Sequence, residues 1–271
     1  MLSLEKYKEQ LRELGIKKGD SVLVHSSFKS LGEVEGGAQT VIDGLLQVIG
    51  EEGTLIFPTL CQKDWEHVYE NWHMDAPSDV GYLTEYFRKL PDALRSNQAT
   101  HSVAAIGKLA KYITETHGQS GLRFGAFGDT PFSEDSPWQK MYDLDTKILF
   151  IGVNTRCCTH RHLAEYIFIN DVVNRAKGTD KYEEYKSQIS AYGKPGLWIT
   201  VPLDQIHDIM VEEGVMHTGK CGEADVHWMS SKEYMEKMFK LMREYDPRFY
   251  DSKKSQGIKA IIEEIEANKK A

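Results

Sequence analysis

Between residues 21 and 57 the chain reads strand, loop, helix, turn, strand, and this run constrains the fold more than any other feature. Ser21-Val-Leu-Val-His25 is a short apolar strand, residues 26–37 form a polar, glycine-rich loop, and Val41, Ile42, Leu45, Leu46 and Ile49 recur at helical spacing. Gly50-Glu-Glu-Gly53 is a turn, and Thr54-Leu-Ile-Phe57 is a second strand ended by Pro58. Two strands joined through a helix pair in parallel with a right-handed crossover. Such a unit starts an α/β fold, whose ligands bind beyond the carboxyl ends of the strands.

The rest of the chain continues in the same style. Ser3 caps a helix carrying Leu4, Tyr7, Leu11 and Leu14, which Gly15 closes. Strands are expected over 102–106 and 147–153, with helices over 108–117 and from about Thr159 to Ile169. Residues 118–137 hold several glycines and prolines and read as a long functional loop. Residues 191–202 look like a strand pair, and 251–271 like a charged amphipathic helix. No repeat or low-complexity linker interrupts the pattern, so one domain over 1–271 is expected, with an alternative boundary near 175–190.

Composition narrows the partners. The 271 residues are 41% hydrophobic and 27% charged, enough for a sizeable core. The net charge of −8, from 41 acidic against 33 basic residues, disfavours nucleic acid and suits either plain solubility or a cationic substrate. No apolar run reaches the roughly 18 residues of a membrane span, and the N-terminal MLSLEKYKEQ is too polar for a signal peptide. Two of the four cysteines, Cys157 and Cys158, are adjacent, which suits reduced thiols better than disulfides. No membrane partner and a cytoplasmic location are therefore expected.

Four segments carry residues suited to chemistry. His25-Ser26-Ser27-Phe28-Lys29-Ser30-Leu31-Gly32 follows the first strand, where small residues admit a ligand and hydroxyls, amides and Lys29 can hold phosphate; an ordinary crossover loop is the plain alternative. Thr100 and Ser102 begin the strand that continues through Val103 and Ala104, and can bond an extended ligand or merely pack. In Cys157-Cys158-Thr159-His160-Arg161-His162-Leu-Ala-Glu165, His162 and Glu165 are three apart and share a helix face, as a general base and its orienting carboxylate would. The same segment, with His217, Cys221 and His227, raises zinc, but no CxxC pair is present. Glu223 and Asp225 alternate and would point the same way on a strand, which suits an ammonium group or solvated charges alike.

Read together, six pieces occur in order: His-Ser-Ser-x-x-Ser-x-Gly at 25–32, Gly-Gly-Ala at 36–38, Glu-Gly-Thr-Leu-x-x-Pro-Thr at 52–59, Thr-His-Ser-Val-Ala-Ala-x-Gly at 100–107, a Gly and Ser-Pro stretch at about 128–137, and Thr-x-x-His-Leu-Ala-Glu at 159–165. Over about residues 1–230 they resemble the aminoglycoside 3-N-acetyltransferase family. The resemblance implies an α/β fold distinct from the GNAT enzymes, a three-layer α/β/α sandwich on a mixed, mostly parallel sheet. It implies acetyl-CoA as cosubstrate, held by His25, Ser26, Ser27, Lys29, Ser30, Leu31 and Gly32 and by Thr100, Ser102, Val103 and Ala104. His162 matches the family's catalytic histidine, with Glu165 or Asp225 orienting it. Asp64, Glu223 and Asp225 stand on the acceptor side, for a cationic amine; no metal is expected, and the state is monomer or homodimer. Relatives often carry His-Pro where this chain has Gln98-Ala99, which touches acceptor choice. The implied reaction is acetylation of an aminoglycoside 3-amino group, against acetylation of another amine or a zinc-dependent hydrolysis.

Overall fold

The computed structural model describes residues 1–268. Its strands are β1 (Ser21–Ser26), β2 (Thr54–Pro58), β3 (Leu94–Arg95), β4 (Val103–Gly107), β5 (Lys147–Ile151), β6 (His217–Cys221) and β7 (Ala224–Ser230). Among the described residues they form one seven-stranded sheet in the order β3-β4-β2-β1-β5-β7-β6. β1 lies parallel to β2 on one side and to β5 on the other. The expected strand–helix–strand unit is therefore present, its crossover helix spanning Ala38–Ile49.

The sheet is mixed, and its parallel part is confined to the central three strands. The β2–β4, β3–β4, β5–β7 and β6–β7 ladders are antiparallel, so parallel pairing does not predominate. The physical reason is plainest at β6 and β7, which a two-residue turn joins, a connection that only antiparallel strands can use. Side chains alternate across the sheet. Val22, Val24, Leu55, Phe57, Leu149 and Ile151 face a layer that includes Tyr7, Leu11, Val41, Ile42 and Leu45. Leu23, Ile56, Ile148 and Phe150 face the other, with Leu163, Ile169, Tyr234, Met238 and Ile261. Helices thus cover both faces, giving the α/β/α sandwich, and each fully buried aliphatic contributes on the order of 1.5–3 kcal/mol.

Some boundaries differ from the expectations. The helix after β4 shortens to Ala110–Thr114. The helix after β5 runs His160–Asn174, beyond Ile169, because the Asn170 amide satisfies itself against the Tyr166 and Phe124 carbonyls, both at 2.9 Å, instead of ending the helix. The strand pair at 191–202 is absent: only the bridges Ile189–Leu197 and Ala191–Lys194 form. Pro195 lacks the N–H a ladder needs, and Gly193 sits at φ +71°. The C-terminal helix spans Lys253–Asn268, and the remainder of the expected 251–271 helix lies outside the described residues. No described helix is long and apolar enough to cross a membrane.

β1 is the switch point of the sheet, because the two strands parallel to it lie on opposite sides, so a crevice opens beyond the carboxyl ends of β1 and β5. Its floor depends on Gly152. That residue follows β5 at φ +62°, donates to the Asp225 carbonyl at 2.8 Å, and lies so close to the loop after β1 that an added Cβ would stand 2.2 Å from the Ser30 Cβ. Gly152→Ala should therefore lose roughly 1–3 kcal/mol of stability. Gly178→Ala, also at positive φ (+87°) but facing open space, should lose less. Urea unfolding of both variants checks this; equal midpoints would mean that the seam with Ser30 is slack.

Candidate active site

The crevice is a cleft of about 220 Å³ lined by His25 and Ser26 from the end of β1, Pro58 and Leu60 after β2, His101 before β4, and Cys157, Cys158, Thr159, Arg161 and His162 after β5. His162 enters from the first turn of the helix that begins at His160. Its Nδ1 lies 2.9 Å from Glu165 Oε2, and the Trp198 Nε1–H donates to the same oxygen at 3.0 Å. The carboxylate can only accept, so the proton sits on Nδ1 and the Nε2 lone pair is left for chemistry. The Arg161 guanidinium covers that lone pair, with Nε at 3.3 Å and Nη2 at 3.2 Å. Phe127 packs edge-on against the ring, centroids 4.6 Å apart.

Burial pushes the His162 pKa below its ordinary value; Glu165 opposes this through its charge and hydrogen bond, and Arg161 adds to the depression. The amides of the first helical turn also disfavour a positive charge there. The imidazole is thus neutral near pH 7, as a base must be. Burial also drives His25 down to about 3 and His101 well below the usual histidine value. No carboxylate opposes the shift at either, so the cleft holds three uncharged imidazoles.

The rival chemistries find little support. Cys158 is buried and its thiol is pushed up to about 12, and burial raises Cys157 as well, so neither presents a ready thiolate. His160 is fully buried edge-on to Trp138, with neither ring nitrogen hydrogen-bonded. Among the described residues, no group of three or more His, Cys, Asp or Glu side chains is arranged to hold a metal ion.

Other residues singled out from sequence are dispersed. Asp225 does not reach His162. The β5–β7 register pairs Val226 with Ile151, which leaves Asp225 beyond the end of β5. Its exposed carboxylate pairs with Lys220 at 2.9 Å, and Glu165 alone orients the imidazole. Glu223 is exposed in the β6–β7 turn against Gly32, and both acidic residues border a groove with Ser30 and His227, beside the cleft rather than in it. Asp64 is exposed and held by His67 at 2.9 Å and Asn71 at 3.1 Å, bordering a separate pocket with Trp72.

At Ala104 and Ala105 the β4 backbone is flanked on both sides, by β2 and by the short β3. The Thr100 hydroxyl bonds Gln98 and His101, that of Ser102 bonds Thr59, and Val103 and Ala104 are fully buried. In the 26–32 loop, Phe28–Leu31 form a short 3-10 turn; Leu31 is core, Lys29 is exposed, and Ser30 donates to the Gly152 carbonyl at 3.4 Å. Ser27 donates its amide to Ile151 at 2.8 Å.

Sequence reasoning missed Arg161, although it adjoins His162, because arginine beside a base has no pattern of its own. It missed Phe127 and Trp198 for a different reason: both arrive on loops distant in the chain, and nothing local marks them. His101 stood inside a quoted motif without a role.

The aminoglycoside 3-N-acetyltransferase family model matches residues 23–243. The SPbeta prophage-derived aminoglycoside N(3')-acetyltransferase-like protein YokD of Bacillus subtilis (strain 168) is 34% identical over 205 residues, 66% of this chain and 72% of that protein. Aminoglycoside N(3)-acetyltransferase III of Serratia marcescens is 30% identical over 184 residues, 62% of this chain and 65% of its own length. The crystal structure of YokD from Bacillus subtilis matches with a TM-score of 0.65 at 27% identity, covering 89% of this chain and 98% of that one. AAC-IIIb, solved as a binary complex with CoASH, matches with a TM-score of 0.72 at 19% identity, covering 90% and 97%, a likeness of fold. By the span of the family match, this chain belongs to the aminoglycoside 3-N-acetyltransferase family, a family of transferases.

Proposed function

We propose that the chain is a cytoplasmic acetyl-CoA-dependent N-acetyltransferase that acetylates the 3-amino group of aminoglycosides, with His162 as general base. The carrying observation is the His162 imidazole, held by Glu165 through Nδ1, in a cleft at the carboxyl edge of a parallel pair. A relative in the family, AAC-VIa, is solved with sisomicin bound, which supports a cationic amine as acceptor. Residues 1–271 act as one domain in this reading, since β6 and β7 complete the sheet that β1 begins.

An ammonium group cannot attack a thioester until it loses a proton. The ammonium gives up one proton to solvent; as the free amine nitrogen then bonds to the acetyl carbon, His162 Nε2 takes the next proton, and as the carbon–sulfur bond breaks the imidazolium returns it to the departing thiolate, releasing the CoA thiol. Arg161 must first swing off Nε2 to admit the amine. Negative charge building on the carbonyl oxygen needs a donor. Thr159, which lines the cleft wall, supplies it. Cys157 and Cys158 carry no acetyl group, so transfer is direct, in a ternary complex.

His162→Ala should lower turnover at least ~10²-fold, the scale of a general base, with the KM for acetyl-CoA little changed. Thiol release from acetyl-CoA against a panel of aminoglycosides and other amines measures both, and undiminished turnover would remove His162 from the mechanism. The acid limb of the kcat/KM profile reports the base. Glu165 raises the His162 pKa, so Glu165→Gln should move that limb to lower pH while turnover falls. Trp198→Phe withdraws a donor from the carboxylate, strengthens its pull on the imidazolium, and should move the limb to higher pH. Shifts of the same sign in both variants would contradict the assigned network.

A further inference from the structure

Gln98 is buried and joins three segments around the base. Its Oε1 accepts the His101 backbone N–H at 2.5 Å and the Thr100 hydroxyl at 3.3 Å. A backbone N–H can only donate, so the amide oxygen must face it, which aims Nε2 the other way. There Nε2 donates to the Tyr69 hydroxyl at 3.0 Å and reaches Thr130 Oγ1 at 3.3 Å. The Tyr69 hydroxyl, accepting from Gln98, donates to the Phe127 carbonyl at 2.8 Å. Phe127 is the ring that packs 4.6 Å from His162, and His101, whose backbone Gln98 holds directly, lies 4.8 Å from Phe127 and 6.0 Å from His162.

The chain of contacts therefore runs from one amide to both aromatic flanks of the base. It also gathers the acceptor-side loops. Tyr69 packs edge-on against Tyr192 at 4.8 Å, Trp65 lies 5.6 Å from both Tyr192 and Phe127, and the Tyr192 hydroxyl donates to the Trp65 carbonyl. Three segments, around residues 65–69, 127–130 and 192–198, thus join in one aromatic clasp, whose Phe127 packs on His162. Gln98 is the buried side chain that ties the clasp to the start of β4.

We propose that Gln98 is a positioning residue that sets acceptor specificity: through Tyr69 and the Phe127 carbonyl it fixes the aromatic wall against which the incoming amine meets His162. This deepens the acetyltransferase reading and rests on it. The amide is the needed chemistry, because one end must accept from a backbone N–H while the other donates to a phenol. A carboxylate at this position keeps the first bond and loses the second. A phenylalanine at position 69 removes the shared hydroxyl from the other side.

Gln98→Glu, Tyr69→Phe and the double variant test the coupling. Each single change should raise the KM for the amine ~3–10-fold, the scale of one lost hydrogen bond, with the KM for acetyl-CoA unmoved. The double variant should be no worse than the more affected single one, because both changes break the same link. Multiplying effects, an unmoved amine KM, or equal rises in both KM values would overturn the proposal. Tyr69 is partly exposed at 40%, so Tyr69→Phe keeps the test open if Gln98→Glu does not fold. A second readout needs no acceptor: the ring-proton NMR signals of His162, which feel the Phe127 ring current, should move in the same direction in both single variants. A wild-type protein that acetylates no amine would sink the proposed function, and the NMR result would still decide whether Gln98 positions the wall around His162. His162 signals unmoved in both variants would overturn it.

Discussion

The parallel pairing of β1 with β5 is the constraint on which the functional architecture rests. Its register runs from Val22 opposite Lys147 to Ser26 opposite Ile151, so both strands end at the same level. His25 and Ser26 then meet the segment that carries Thr159, Arg161 and His162 across one gap. The pairing is held from both faces, because Leu23, Ile148 and Phe150 belong to one core layer and Val24, Leu149 and Ile151 to the other. A slip of one residue would exchange those layers, and with them the side chains presented to the cleft. Core packing and site geometry are thus one specification.

Within that frame, electrostatics distinguishes the histidines. His25, His101 and His160 are all buried without a carboxylate partner and have lost their basicity. His162 alone among them has a carboxylate on Nδ1 to oppose the desolvation. In the proposed role a base must be uncharged at rest and still attract a proton, and burial and Glu165 act on those two needs in opposite directions. Trp198 moderates the pair by sharing the same carboxylate oxygen. The helix that bears His162 also places Glu165 one turn on, so a single element supplies both members.

Much of this was readable from local pattern. The apolar run 147–153, whose strand ends at Ile151, and the strand–helix–strand unit gave buried strands of the sheet, and the three-residue spacing of His162 and Glu165 implied that they meet on one helix face. What escaped notice depended on distant contacts. Alternation needs a strand, whereas Glu223 lies in the β6–β7 turn; parity also says nothing about which neighbour lies across the sheet, and Lys220 rather than His162 holds the Asp225 carboxylate. The family resemblance made Thr100 and Ser102 ligand contacts where the residues alone allowed plain packing, and here Gln98, His101 and Thr59 already engage their hydroxyls. The aromatic clasp of Trp65, Tyr69, Phe127 and Tyr192 joins three segments far apart in the chain, so no window of sequence contains it.

The position of β1 in the sheet has a consequence for how the chain acquires its structure. Val22 must find Lys147, far along the chain, before the central strand is paired on both sides. Contacts of such separation close slowly, because loop entropy is lost before they repay it. During synthesis β1 and β2 can pair as soon as residue 58 has emerged, yet the other edge of β1, with Val22 and Val24, stays open until β5 is made. An uncovered apolar strand edge is a site for misassociation. The nascent protein therefore passes through an interval in which the edge of β1 that later borders the cleft is open, and the emergence of residues 147–151 ends that interval.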